Sequence, residues 1–204
     1  MNALLLIDLQ YDFMPGGALA VEHGDEVVSV ANALMPRFGL VAASQDWHPA
    51  DHGSFASQHA GKQPLDVIEL DGLEQTLWPD HCVQGTHGAE LAAGLDQERI
   101  ARVIHKGTDK RVDSYSAFFD NAHRRATGLE AYLRGKGVEA VYLMGLATDY
   151  CVQFSALDAA KLGFRTFVYR QGCRGIGVND GGVDRAWDAM RQAGVTLLDD
   201  LDTP

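Results

Sequence analysis

Along this chain, short apolar runs alternate with segments in which apolar residues return every three or four positions. The runs Ala3–Asp8, Leu40–Gln45, Val103–Lys106, Ala140–Gly145, Thr166–Tyr169 and Val195–Leu198 have the length of strands, and the first and fourth are apolar almost throughout. A strand without polar alternation has both faces covered, as in a parallel sheet under helices. The segments Asp25–Phe38, Phe118–Gly135, Asp149–Leu162 and Val183–Ala193 carry helical periodicity. Gly135, Gly163 and Gly194 stand where C-terminal caps belong. Strand and helix in alternation predict a three-layer α/β/α fold around a mainly parallel six-stranded sheet with right-handed crossovers.

The segment Trp47–Gln97 breaks this rhythm. It is rich in His, Gly, Pro and Asp, with room for one short hairpin around Val67–Leu70. So long an irregular stretch is functional if it is not disordered, and its His-Pro and Trp-Pro turns and buried-type residues speak for order. No repeat, low-complexity tract or linker divides the chain, so residues 1–204 read as one domain.

Composition narrows the picture. A chain of 204 residues can bury a core that needs no staples. A net charge of −11 and a pI near 5.0 argue against nucleic acid or an anionic membrane as partner. No apolar stretch is long enough to span a bilayer, and Ala3–Asp8 has neither the basic flank nor the cleavage site of a signal peptide. Cys82, Cys151 and Cys173 form no even framework, which suits free thiols in a reducing compartment. The expected location is cytoplasmic.

Candidate chemistry collects at strand ends, where ligands bind in parallel α/β sheets. The first strand ends at Asp8, the third at Lys106, and the fourth runs through Gly145 toward Cys151. With Thr148 or Asp149 as N-cap, Cys151 falls in the first turn of a helix, where free amides and the helix dipole favour a thiolate. If the three strands are neighbours, carboxylate, lysine and thiol converge. A lysine beside a thiol favours the thiolate, and a carboxylate beside both can carry a proton to and from the reacting atoms. Each residue alone has an ordinary structural reading; their coincidence at one edge points to nucleophilic catalysis.

Asp46, His48 and His52 follow the second strand, and His81 comes later in Trp78-Pro79-Asp80-His81-Cys82. In an extended chain Asp-x-His presents both side chains on one face. Carboxylate plus imidazole suits zinc, iron or manganese. Cys82 reads as packing. Gly175-x-Gly177 with Gly181-Gly182 lacks the strand-to-helix setting of a dinucleotide fingerprint and reads as a loop. His105, Asp109 and Asp113 carry no clear signal.

Five motifs in order, Ile7-Asp8-Leu9-Gln10-Tyr11-Asp12-Phe13, Gln45-Asp46-Trp47-His48-Pro49, Trp78 to Thr86, His105-Lys106-Gly107 and Gly145 to Val152, resemble the isochorismatase-like cysteine hydrolases, and within them the nicotinamidases. The resemblance implies Asp8 as general base and acid, Lys106 as its electrostatic partner and Cys151 as nucleophile. It implies a cis peptide between Leu146 and Ala147 that turns the Ala147 amide inward, beside that of Cys151, as an oxyanion hole. It carries over Asp46, His48 and His81 as ligands of one divalent metal, zinc first, with His52 a fourth ligand in some relatives. Phe13, Trp78 and Tyr115 match ring-contact positions. The implied reaction is hydrolysis of nicotinamide to nicotinate and ammonia through a thioester, in NAD salvage, with pyrazinamide as side substrate and the metal orienting the pyridine ring. The alternatives are a related amidase for carbamoyl or ureido substrates, which generally lacks the metal motif, and a binding module that has kept the fold. A homo-oligomer is compatible with the sequence.

Overall fold

All six expected strands of the main sheet form in the computed structural model, which describes residues 1–178 and 180–202. In chain order the elements are β1 (Asn2–Ile7), α1 (Glu26–Leu34), β2 (Val41–Asp46), β3 (Val67–Leu70), β4 (Leu73–Thr76), β5 (Arg102–Lys106), α2 (Leu129–Gly135), β6 (Ala140–Leu146), α3 (Gln153–Lys161), β7 (Arg165–Arg174), α4 (Gly182–Gln192) and β8 (Thr196–Leu198). The sheet order is β5-β2-β1-β6-β7-β8, with every pairing parallel. Helices complete a three-layer α/β/α architecture. All residues of β2 and β6, and all but the first of β1, are buried, which is why these runs carry no polar alternation.

The chain lays β2 and β5 on one side of β1, then crosses to start β6 on the other. The order therefore reverses at the carboxyl ends of β1 and β6, where a crevice opens. Gly145 lets those two strands meet there. At φ +131°, its ideal Cβ would lie 2.1 Å from the Ile7 carbonyl oxygen, so a side chain would force the strands apart.

Several expectations need correction. The helix read over Phe118–Gly135 is confined to Leu129–Gly135. Residues 118–128 turn back on themselves through a bridge between Phe119 and Ala126, and the Asp120 carboxylate accepts the Arg124 amide. Gly135 sits inside the last turn of α2; Gly137, at φ +72°, is the left-handed residue beyond it. The first helix stops at Leu34 and continues only as a 3-10 turn over Met35–Arg37, where Pro36 brings no amide hydrogen. Strand β7 extends to Arg174, past the expected Tyr169, because its register jumps from Leu143–Val168 to Gly145–Cys173 across an irregular bulge. The segment Trp47–Gln97 contains the expected hairpin, β3 with β4, closed by Asp71-Gly72 at positive φ. No helix among the described residues is long and apolar enough to cross a membrane.

Candidate active site

Asp8 follows β1 directly, in a left-handed conformation (φ 51°) that turns the chain at the strand end, and its side chain is fully buried. Its Oδ1 accepts the Ser44 hydroxyl at 2.6 Å, and its Oδ2 lies 2.9 Å from Lys106 Nζ. The strands bearing Asp8 and Lys106 are not neighbours, since β2 lies between them. The lysine side chain spans that gap. Its Nζ also lies 2.5 Å from Asp46 Oδ1, donates to the Ser114 carbonyl at 2.9 Å and sits 3.3 Å from Cys151 Sγ. The expected trio converges, with Asp46 as a fourth member.

Cys151 does not stand in an ordinary first helical turn. Thr148–Val152 forms a π-helical turn ahead of α3, and neither Thr148 nor Asp149 caps it through its side chain. The carboxylate of Asp149 turns instead to the amides of Ile176 and Gly177. Nor does the site favour a resting thiolate. Burial, the largest influence, pushes the Cys151 thiol well up; Lys106 pulls it down, but Asp8 and Asp46 push it up again. Burial likewise raises Asp8 above the ordinary carboxylate range against the pull of Lys106. Burial opposes the charge on Lys106, yet Asp46 and Asp8 hold it well above its usual value. The site is thus a protonated thiol beside a carboxylate of raised basicity and a fixed cation, an arrangement for moving a proton at the moment of attack.

Leu146–Ala147 is a cis peptide, as the resemblance implied. The Ala147 carbonyl accepts the amides of Tyr150 and Val152, each at 3.1 Å, and Ala147 and Cys151 line one cavity.

On the other side of Asp46, its Oδ2 lies 3.7 Å from Nε2 of both His48 and His81. His48 Nδ1 bonds the Gly107 carbonyl at 2.9 Å, and His81 Nδ1 bonds that of Pro79 at 2.8 Å. A ring that donates from Nδ1 leaves Nε2 as the free lone pair, and both lone pairs converge on the carboxylate. His48 Nε2 is buried with no hydrogen-bond partner among the described residues. One carboxylate and two imidazoles aimed at a common point suit a divalent transition metal. His52 stands behind His48, ring centroids 4.4 Å apart, its Nδ1 bonded to Ser54 and its Nε2 without a hydrogen-bond partner among the described residues. It clusters with His48 and Asp113 rather than with Asp46 and His81.

The cavity over Cys151 is walled by Phe13, Trp78, Tyr115 and Tyr150, with Leu19 and Ile176 among its other apolar contacts. Trp78 meets Tyr150 edge to face at 4.9 Å and donates its indole N–H to the Tyr115 hydroxyl. A mostly aromatic slot with a few polar groups at one end suits a small flat ring.

The sequence reading missed Ser44, Ser114, Tyr150, Leu19 and Ile176, and left Asp113 unassigned. Asp113 is buried at the cavity, 4.0 Å from His48 Nε2. Of its two companions, His105 stacks on Trp47, and Asp109 pairs with Arg111 and Arg125, which with local hydrogen bonds hold its carboxyl at about 2. Cys82 is packed in the core, as expected, its amide held by Asp12. Gly175–Val178 follow β7 without regular structure, and Asp180-Gly181 lead into α4, as a loop rather than a dinucleotide fingerprint.

The family profile described as isochorismatase domain matches residues 2–200. A nicotinamidase of Escherichia coli strain K12 is 54% identical over 200 residues, covering 96% of this chain and 93% of the relative. Among solved structures, a nicotinamidase and pyrazinamidase of Acinetobacter baumanii superposes with a TM-score of 0.94 at 46% identity, covering 97% of this chain and 95% of that one. A pyrazinamidase of Pyrococcus horikoshii, solved in complex with zinc, superposes with a TM-score of 0.79 at 36% identity, covering 97% and 98%.

Proposed function

The chain belongs to the isochorismatase family, and within it we propose that it hydrolyses nicotinamide to nicotinate and ammonia, serving NAD salvage, with pyrazinamide as a side substrate. The observation that carries this reading is the buried cluster of Asp8, Lys106 and Cys151 opening onto an aromatic slot. Identity to nicotinamidases over almost the whole chain supports it. The whole chain is read as one domain, and its three free cysteines suit the cytoplasm.

In this mechanism Asp8 takes the proton of the Cys151 thiol as Sγ bonds to the carboxamide carbon. The oxyanion rests on the amides of Ala147 and Cys151. Protonated Asp8 gives its proton to the departing nitrogen, ammonia leaves, and an acyl thioester remains. Asp8 then takes a proton from water as its oxygen attacks the thioester, and returns that proton to Sγ as nicotinate departs. Lys106 stays charged throughout and holds Asp8 and Asp46 in place. Phe13, Trp78 and Tyr115 hold the ring. Asp46, His48 and His81 would hold one divalent ion, zinc first, with His52 close behind. When bound, that ion supplies a Lewis-acid contact for the ring nitrogen and so orients the substrate.

Ammonia release from nicotinamide by the purified, metal-loaded protein tests the reading. Cys151→Ala should lower turnover by on the order of a thousandfold or more while the ring still binds. Benzamide, which lacks the ring nitrogen, should be a very poor substrate. Near-normal turnover by Cys151→Ala would sink the assignment of the nucleophile, and equal use of benzamide would sink the orienting role of the metal.

A further inference from the structure

The π-helical turn Thr148–Val152 has three successive side chains with separate destinations. Cys151 faces Lys106, and Tyr150 packs against Trp78 and Tyr115. Asp149 reaches the loop between β7 and α4. Its Oδ1 accepts the Ile176 amide at 2.9 Å, and its Oδ2 accepts the Gly177 amide at 3.0 Å. A carboxylate clamped on two successive amides fixes the backbone between them as well as its own position. Ile176 lines the cavity over Cys151.

The neighbouring residues fit this clamp. An ideal Cβ on Gly175 would fall 2.2 Å from Val183 Cγ2 and 3.3 Å from Asp149 Oδ1, so only glycine lets the loop lie this close to both. Gly177 sits at φ +66°, a conformation open to glycine, which turns its amide toward the same carboxylate. Nothing in the aromatic slot itself requires this arrangement. Its effect is to tie one apolar wall of the slot to the turn that carries the nucleophile, two residues from Cys151.

We propose that Asp149 is a positioning residue that sets substrate selectivity, holding Ile176 as a fixed wall of the slot so that ring substituents on that side are refused. This rests on the amide-hydrolase reading of the site. Asp149→Asn leaves one acceptor oxygen for two amides, and Ile176→Ala removes the wall while leaving the clamp. Each should raise KM for nicotinamide about tenfold, the equivalent of one lost charge-assisted hydrogen bond for Asp149→Asn and of lost apolar contact for Ile176→Ala, with kcat within about threefold of the parent. Each should also improve the use of at least one of the four ring-methylated nicotinamides relative to nicotinamide. If both act through one wall, the double variant should be no worse than the worse single one. Asp149→Glu should restore part of the KM.

A fall in kcat at unchanged KM, multiplying effects in the double variant, or unchanged selectivity would each overturn the proposal. Alkylation of Cys151 by iodoacetamide and by its bulkier N-phenyl analogue reads the wall without turnover. Both variants should raise the relative rate of the bulky reagent, and an unchanged ratio counts against the clamp. Failure of the parent protein to release ammonia from nicotinamide would overturn the hydrolase reading, and the alkylation ratio would still decide on Asp149.

Discussion

Lys106 carries the charge balance of the site, because two buried carboxylates face one buried cation. Replacing it with methionine keeps the volume but leaves Asp8 and Asp46 without a counter-charge. Lys106→Met should therefore cost about 3–5 kcal/mol in urea unfolding, besides abolishing activity. Full stability with lost activity would confine the lysine to the chemistry. Ser44→Ala probes the base more gently. The Ser44 hydrogen bond favours the charged form of Asp8, against the burial that raises it. Without that bond Asp8 titrates higher, and since the carboxylate form must take the thiol proton, the acid limb of kcat/KM moves to higher pH. An unmoved limb would remove Asp8 from that role. At this scale the sequence was informative where a reactive type stood alone after an apolar run, as Asp8, Lys106 and Cys151 do. Ser44 lies inside the run of β2, where a serine has nothing to mark it. The charge state of Cys151 was misread because position in a turn is visible in a sequence and the depth of burial is not.

Elements matter here mainly through what glycine lets them approach. Gly107, at the end of β5, has φ +64°, and an ideal Cβ there would lie 2.3 Å from His48 Cε1. His48 is held by the Gly107 carbonyl, so a methyl group would push the ring off the partner that fixes its tautomer. Gly107→Ala should lower zinc affinity by about ten- to a hundredfold, measured by competition with a chromophoric chelator, while the sheet stays folded. Affinity equal to the parent would mean that His48 is not a ligand. Elements were legible where the pattern was strong. Buried strands β1, β2 and β6 emerged within a residue or so of their ends. The polar stretch Arg170-Gln171-Gly172 concealed the far half of β7, and residues 118–128 carried helical periodicity while their bonds served a loop.

For the whole molecule, acid sensitivity has a identifiable source in His52. Burial lowers its folded pKa from 6.5 to about 4. Between those values the unfolded chain takes up a proton that the folded chain refuses, so in the metal-free protein the His52 contribution to stability is fully present above pH 6.5 and is lost as pH drops toward 4. The loss should reach about 2 kcal/mol by pH 5, and His52→Asn should remove most of it in urea titrations at pH 7 and 5. The same pH dependence in the variant would place the source elsewhere. The fold class was legible from alternation alone, whereas the order of strands was not, since several orders satisfy the same pattern. That order has a consequence in time. The central strand β1 is made well before its partner, residues 140–145, so one of its edges stays open until that partner leaves the ribosome. Over that interval the nascent chain carries an apolar, unpaired edge that invites association with other chains. A chain released at residue 139 should aggregate or remain bound to chaperone, and a soluble, protease-resistant fragment would contradict this. Asp8 and Lys106 are translated before Cys151, so the reactive centre is completed late, by the same strand that closes the sheet.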